Sequence, residues 1–404
     1  MSLPPYWTSP LESRFEVTIS GSERADRQYQ VQILEAVVRP EGGGQAGDRG
    51  VLVIGTRNIP FVNTVDSDGK VCLVTEEDVP AGTRWLLEID MGWRRAMMRN
   101  HSSEHLFVAS LKRIRPQVRL GYIWIDGEHG TVDVSAPGLT VEDVIKAEGM
   151  VQNLILEDIQ TSTAVVAPGE VRSDVRAREG VTQKHDRIRV VSFGDFDSSA
   201  CSGTHVLHTG DIGHFKVVDV SEDGGSLRVE FVTGARAIAE TSRLFNTVLI
   251  RRHTHPIEYA QLGPVLDKAK TLSEQYALLL DKCQEMLVRS LHFEPVGGVM
   301  FAHECLPGFE PGRLRHLVDR IPIEGPYLLL LFIPGVKSSI IAIGNELPVP
   351  AAEIMKEIVV TSGGKGGGGE VFTGGFVNVT DPTALYDRII RLARDRLVEL
   401  ARVS

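Results

Sequence analysis

Arg187-Ile188-Arg189-Val190-Val191 reads as a buried strand, and it runs toward Cys201-Ser202-Gly203-Thr204-His205. Gly203 and the flanking serine and threonine make the second stretch a turn or loop, because these residues support tight backbone and local side-chain hydrogen bonds. Beyond it, Lys216-Val217-Val218-Asp219-Val220 and Ser226-Leu227-Arg228-Val229-Glu230-Phe231-Val232 flank Asp223-Gly224-Gly225. That pattern predicts a hairpin. A strand, a loop with a thiol and an imidazole four residues apart, and a hairpin therefore define the middle of the chain.

A second four-residue spacing lies a hundred residues upstream, in His101-Ser102-Ser103-Glu104-His105. From Trp93 to about Leu111 the pattern is helical, with Met98, His101, His105 and Val108 at intervals of three and four. On a helix, His101 and His105 share one face about a turn apart. With Cys201 and His205 they supply three imidazoles and one thiol, a donor set suited to Zn²⁺. Convergence of the two pairs would make a metal centre. Glu104 points to another face and reads as a surface residue before a supporting one. His208 and His214 read as ordinary surface or strand histidines.

Residues 15–90 read as strands and turns. Phe15-Glu16-Val17-Thr18-Ile19 and Gln30-Val31-Gln32-Ile33-Leu34 alternate with period two, and Val51-Leu52-Val53-Ile54 continues the β-rich stretch. Between them, Pro40-Glu41-Gly42-Gly43-Gly44-Gln45-Ala46-Gly47-Asp48-Arg49-Gly50 is either a plain turn or a backbone approached closely by another group. Downstream, a helical segment occupies about 236–291. In it Val265, Ala269, Leu272, Tyr276, Leu279, Cys283 and Met286 form a short coiled-coil-like stripe, with Cys283 as a core thiol. After Pro295 and Gly297-Gly298, Tyr327–Pro334 and Ser339–Ile343 read as strands, and Pro350–Val360 and Pro382–Arg402 as helices. That alternation suggests an α/β domain. Ser362–Gly375, with its Gly-Gly-Lys-Gly-Gly-Gly run, lacks the GxxxxGK[ST] order of a phosphate-binding loop.

The composition of the 404 residues, 42% hydrophobic and 24% charged, is that of a soluble globular protein of two or three domains. Cys72, Cys201, Cys283 and Cys305 are far apart, so no disulfide framework is expected. No secretory signal opens the chain, and no apolar run is long enough for a bilayer, so a cytosolic location is expected. The net charge of −10 argues mildly against nucleic acid as a partner. Locally the balance reverses. Arg94, Arg95, Arg99, Lys112, Arg113, Arg115 and Arg119 surround the HxxxH with only Glu104 opposing them; this is either a solvated helix face or a sign of an anionic substrate.

Taken together, these motifs resemble the long-form AlaX family, stand-alone alanyl-tRNA editing proteins, and the corresponding C-terminal half of alanyl-tRNA synthetase. Pro40–Gln45 with Asp48 and Gly50 looks like that family's glycine-rich loop. Asn100-His101-Ser102-Ser103-Glu104-His105-Leu106 looks like its HSxxHL helix. Cys201-Ser202-Gly203-Thr204-His205-Val206 with Thr209-Gly210-Asp211-Ile212-Gly213-His214-Phe215-Lys216-Val217 looks like its CxGTHV and TG[DE]IGxFK run. The glycine-rich C-terminal stretch is similar to the DHH-associated domain that ends these proteins. Two departures stand out. Val38 and Arg39 occupy places where aromatic residues are usual, and Ser202 replaces a common glycine.

The resemblance implies an α+β multidomain fold: an N-terminal β-barrel over 1–90, an α/β editing core over 91–235 shared with threonyl- and alanyl-tRNA synthetases, a helical linker over 236–293, and a DHH-associated α/β domain over 294–404. It implies hydrolysis of an aminoacyl ester on mischarged tRNA(Ala), seryl- or glycyl-tRNA(Ala), with alanyl-tRNA(Ala) spared and ATP not required. Zn²⁺ would sit on His101, His105 and Cys201, with His205 as fourth ligand or nearby base. Gly42, Gly43, Gly44 and Gln45 become candidates for recognising the amino acid. Arg94, Arg95, Arg99, Lys112, Arg113, Arg115, Arg119 and Lys365 become candidates for tRNA contact, and the helical segment or C-terminal domain for homodimerisation. The competing reading is a non-catalytic tRNA- or protein-binding module with a structural zinc. A DHH-type phosphoesterase is disfavoured because its Asp-His-His motif is missing.

Overall fold

The computed structural model describes residues 3–176, 186–314, 317, 320–369 and 371–403. They fall into two compact units, Met1–Pro256 and Ile257–Ser404. After a short helix α1 (Pro5–Thr8), the first unit opens with β1 (Arg14–Ala25), β2 (Gln28–Ile33), β3 (Gly50–Ile54), β4 (Arg57–Ser67), β5 (Lys70–Thr75) and β6 (Arg84–Ile89). These close a barrel in the order β1-β2-β5-β4-β3-β6, so no edge is left open. Period-two alternation sends Val17, Ile19, Val31, Ile33, Leu52, Ile59, Leu73 and Leu87 inward. Full burial of each such side chain stabilises by about 1.5–3 kcal/mol.

The glycine-rich loop departs from the barrel between β2 and β3. It lies beside β7 (Arg119–Ile125): the Ala46 N–H donates to the Ile125 carbonyl at 2.8 Å, and the Ile125 N–H donates to Gly44 at 2.8 Å. Gly43 and Gly44 hold φ of +64° and +86°, a region costly for side-chain-bearing residues. Gly42 and Gln45 exchange backbone hydrogen bonds at 3.0 and 3.1 Å around this turn, and a Cβ on Gly42 or Gly43 would come no nearer than 3.9 Å to an Arg39 nitrogen, so the plain-turn reading is the one the structure supports.

Helix α2 (Met91–Ile114) follows the barrel, capped by Asp90, whose carboxylate accepts the Trp93 N–H at 3.1 Å. From Asn100 to Leu111 every residue is buried. The helix therefore threads the core instead of lying on it. It packs with α3 (Val141–Leu156) on an antiparallel sheet of order β12-β13-β8-β7, where β8 is Gly130–Ser135, β12 Phe215–Asp223 and β13 Ser226–Thr233. Phe107, Phe215 and Phe231 form its aromatic centre, with the Phe215 and Phe231 rings 5.1 Å apart. The predicted hairpin turns at Gly224 and Gly225, both with positive φ. A smaller sheet of order β11-β10-β9 holds β9 (Thr161–Val166), β10 (Ile188–Phe193) and β11 (Asp197–Ala200).

The helical segment expected as one piece is two helices, α4 (Gly234–Thr254) and α5 (Leu262–Ser290), and the division between the units falls between them. The stripe on α5 is not a buried seam. Leu272, Tyr276, Leu279 and Met286 are exposed, and so is Cys283, which corrects its reading as a core thiol. The second unit is a sheet of order β14-β15-β16-β17-β19-β18: β14 (Glu294–Val296), β15 (Val299–Cys305), β16 (Tyr327–Ile333), β17 (Lys337–Asn345), β18 (Lys365–Gly368) and β19 (Val371–Val377). Only β15 and β16 pair in parallel. Helices α6 (Ala351–Thr361) and α7 (Pro382–Val403) cover one face through Ile354, Ile358, Ile389 and Ala393. The glycine-rich stretch, apart from Glu370, which lies outside the described residues, is a hairpin edge. A Cβ on Gly366 would meet the Phe372 ring at 2.5 Å, so glycine is required by packing there. Lys365 is exposed on that edge.

Candidate metal centre

Helix α2 and the loop after β11 bring the two four-residue motifs together. One donor atom from each of His101, His105, Cys201 and His205 lies within 4.8 Å of the other three. His101 Nε2 is 3.5 Å and His205 Nε2 is 3.3 Å from Cys201 Sγ. Bonds of about 2.0–2.1 Å to nitrogen and 2.3 Å to sulfur at tetrahedral angles put the two atoms roughly 3.6 Å apart. The cluster therefore fits a single ion of the Zn²⁺ type. The other cysteines are free thiols elsewhere, as the absence of paired spacings implied.

The partners of the imidazoles meet a further requirement, since a ligating imidazole needs its other nitrogen fixed. Hydrogen bonds do this for two of them, and a carboxylate faces the third. His101 Nδ1 meets Gln45 Oε1 at 2.7 Å, and His205 Nδ1 meets Ser102 Oγ at 3.1 Å. His105 Nδ1 lies 3.5 Å from Asp197 Oδ2, an electrostatic contact outside good hydrogen-bond geometry. Asp197 is itself held by Ser199 Oγ at 2.7 Å and Arg176 Nη2 at 3.3 Å.

The loop is shaped to deliver the thiol. The Gly203 N–H donates to Cys201 Sγ at 3.4 Å. Any Cβ on Gly203 would stand 2.1 Å from Cε1 of His101, so only glycine fits against that ring. Burial raises the Cys201 thiol, but His101, His205 and His105 outweigh it and hold it well below its usual value. A thiolate is the form that binds metal. Burial opposes charge on His105, yet Cys201 and Asp197 prevail and push that imidazole up to about 9. Burial, foremost, pushes His205 well below the usual imidazole value.

Several sequence expectations change place. Gln45 is fully buried, its Nε2 donating to Thr204 Oγ1 at 3.1 Å while Oε1 takes both His101 and the Thr204 N–H. It therefore positions His101, with no polar atom left for an amino-acid hydroxyl. Glu104 is not on the surface. It is 2% exposed, with Oε1 3.8 Å from Arg176 Nη1 and Oε2 3.8 Å from His105 Nε2. Around Glu104 the helix is buried on all sides, and no spacing in the sequence pairs Glu104 with Arg176.

Arg39 and Arg189 were overlooked as site residues. Arg39 Nε donates to the Ser202 carbonyl at 3.2 Å and Nη2 to Gly42 at 2.9 Å. Arg189 Nη1 donates to Gly203 at 2.6 Å, and Trp7 Nε1 donates to Ser202 at 3.0 Å. Three side chains thus clamp the carbonyls of the Cys201–Gly203 turn. Burial lowers Arg189 to about 10, with Cys201 and Tyr6 acting against it. The one signal in the sequence was Arg39 standing where an aromatic residue is usual.

The basic run is not one surface. Arg94 is fully buried, its guanidinium held by both oxygens of Asp48, which withdraws it from any phosphate. Arg115 pairs with Asp143 at 2.8 Å, and Arg113 donates to Phe196 at 3.0 Å. Lys112 is half-buried. Arg99 donates through Nε to the Asp211 carbonyl at 2.8 Å. Arg95 and Arg119 are exposed, with no acceptor among the described residues. Among those residues no helix is long and apolar enough to cross a membrane.

The family described as threonyl and alanyl tRNA synthetase second additional domain matches residues 188–229, a span containing Cys201 and His205. The chain is 24% identical over 404 residues to the alanyl-tRNA editing protein AlaX-L of Pyrococcus horikoshii, covering 97% of this chain and 98% of that protein. It is 28% identical to an alanine–tRNA ligase of Halorhodospira halophila and 29% identical to one of Polaromonas sp., each over 81% of this chain. It spans only 40% and 39% of those ligases' length. The solved C-Ala domain of Aquifex aeolicus alanyl-tRNA synthetase matches 26% of this chain and 98% of its own, at 22% identity and a TM-score of 0.24. The resemblance carried by the glycine loop, the HxxxH helix and the CxxxH loop thus holds along nearly the whole chain: this protein is similar to the long-form AlaX alanyl-tRNA editing proteins and to the matching portion of alanyl-tRNA synthetases.

Proposed function

We propose that this protein is a trans-editing hydrolase that removes serine, or glycine, from mischarged tRNA(Ala) and spares alanyl-tRNA(Ala). The observation that carries the reading is the convergence of His101, His105, Cys201 and His205, in a chain similar to AlaX-L from end to end. These four residues would hold Zn²⁺, which supplies a Lewis acid beside the ester. His205 serves as the fourth ligand, because its Nε2 faces Cys201 at the same distance range as His101 Nε2 and its Nδ1 is occupied by Ser102. The proton-transfer work then falls to the terminal ribose hydroxyl of the tRNA or to bulk water. Gln45, Ser102 and Asp197 keep the imidazoles from rotating, and Arg39, Arg189 and Trp7 keep the Cys201–Gly203 backbone in place. Preference for serine over alanine would come from a polar group that alanine leaves unsatisfied.

One observation favours a second reading, a tRNA-binding module with a structural zinc: three of the four donors are nearly fully buried, and four protein ligands fill a tetrahedral shell. Deacylation of seryl-, glycyl- and alanyl-tRNA(Ala) by wild type and Cys201→Ala separates the two. Rapid loss of serine, survival of alanine and a folded, inactive variant are expected. No hydrolysis of any ester by zinc-loaded wild type would leave the binding module.

A further inference from the structure

Two guanidiniums meet at the Cys201–Gly203 turn without an acidic partner of their own. Arg39 is 5% exposed and Arg189 6%. Among the described residues, every hydrogen bond from their side chains ends on a backbone carbonyl. Arg39 donates to Pro40, Gly42 and Ser202, and Arg189 donates to Cys201 at 3.3 Å and Gly203 at 2.6 Å. A guanidinium does not lose its charge, and a charge withdrawn from water needs a counter-charge. Other arginines drawn into this unit have one: Arg94 lies on Asp48, and Arg176 lies between Asp197 and Glu104. At the turn the counter-charges are already spent. Asp48 accepts the Arg39 backbone N–H but is paired with Arg94, and the Cys201 thiolate belongs to the metal cluster.

Arg189 also has an unused donor. Its Nη1 serves both carbonyls, while its Nε is buried without a hydrogen-bond partner. An unmade bond from a buried, charged donor is costly, so the atom calls for an acceptor from outside the chain. The turn can be reached from solvent: Ser202 is exposed, and Cys201, Tyr6 and Trp7 are half-buried. The Trp7 ring centroid stands 5.5 Å from Arg189 Cζ and walls one side, with Tyr6 in the field of both arginines. Two positive charges, a single open N–H and an aromatic wall suit a small monoanion, and a carboxylate accepts such a bond well.

The place decides which carboxylate. The turn carries the thiol of the metal cluster, where the hydrolysis proposed above would occur. That reaction breaks the acyl C–O bond, puts the hydroxyl of water on the acyl carbon and its other hydrogen on the ribose oxygen. The acid so formed gives its proton to solvent. A carboxylate thus appears where the ester had none.

We infer that Arg189, through Nε and backed by the charge of Arg39, binds the carboxylate of a free α-amino acid, so that the protein retains its own product. The inference rests on the hydrolase reading for the source of that amino acid, but binding itself needs no hydrolysis. Arg189 then has two tasks, holding the turn through Nη1 and the ligand through Nε.

The test is calorimetric titration of the full-length, zinc-loaded protein with L-serine, serinamide and inorganic phosphate, with bound zinc assayed after each run. Serine is expected to bind about tenfold or more tightly than serinamide, whose amide carries no charge, and more tightly than phosphate. Arg189→Lys keeps the positive charge and removes the Nε donor, and is expected to weaken serine about tenfold with zinc content unchanged. Equal affinity for serine and serinamide would overturn the carboxylate site, as would serine binding that survives Arg189→Lys or a wild type that does not bind serine. Phosphate bound as tightly as serine would mean a general anion site and overturn it too. Should Arg189→Lys fold poorly or lose zinc, the three ligands on wild type decide alone. The expected serine preference in a wild type that deacylates no aminoacyl-tRNA would keep the site and remove the hydrolase; deacylation without serine binding would do the reverse.

Discussion

Asp197 Oδ2 stands 3.5 Å from Nδ1 of His105, and Arg176 holds that carboxylate from the other side at 3.3 Å. Burial opposes the charge on Asp197, but His105 and Arg176 outweigh it and keep the carboxylate well below the usual range. The negative charge thus stays on the far side of a metal-facing imidazole at any pH the protein meets. Asp197→Asn is expected to lower zinc affinity about 10–100-fold, as loss of such outer partners generally does. Competition against a chelating dye measures it, and an unaltered affinity would remove Asp197 from the centre.

Zinc uptake should depend on pH with a defined sign. In the metal-free protein His105 holds its proton up to about 9, while Cys201 is already deprotonated well below its usual value. The ion must displace the His105 proton, so acid opposes binding and base favours it. Apparent affinity is expected to climb about tenfold per pH unit from neutrality and level off near 9. A flat profile over that window would show His105 to be neutral before the metal arrives.

Arg94 separates scaffold from surface. Arg94→Met leaves Asp48 buried without its cation, and stability in urea should fall by about 3–5 kcal/mol. The slope of RNA affinity against salt should match wild type, because no phosphate contact is lost. A slope reduced by about one unit would return Arg94 to the RNA interface.

Gly203→Ala is a geometric test of the thiol loop. The added methyl would fall 2.1 Å from the His101 ring and 2.5 Å from Gln45 Oε1. Either the loop retreats with Cys201, or His101 leaves Gln45. Both routes predict a large loss of bound zinc, read by metal analysis of the purified protein, with the far barrel strands still protected from hydrogen exchange. Full zinc occupancy would mean that the turn has slack the packing does not show.

Much of this was legible in the sequence. Period-two alternation located β1 and β2, and the Asp223-Gly224-Gly225 turn located the hairpin, because both are local consequences of backbone sterics. The four clustered residues that could hold a metal were legible because two short spacings carried them. What failed to appear was long-range pairing. Glu104 sits between two histidines on a helix that looks one-sided in sequence, but its partner Arg176 arrives from a loop near β11. Gln45 looked like a substrate group because nothing in its own stretch announces His101. On α5 the opposite happened: a convincing heptad-like stripe lies exposed, since periodicity records a helix's face and not what covers it.

The hydrogen bonds between Gly44, Ala46 and Ile125 have a consequence for inheritance. They splice a loop of the barrel into the sheet of the core, one residue from the side chain that steadies His101. A recombination event that exchanged the barrel alone would therefore deliver a metal centre with one imidazole free to swing. The barrel loop and the core it meets are expected to keep the geometry of this cluster only together.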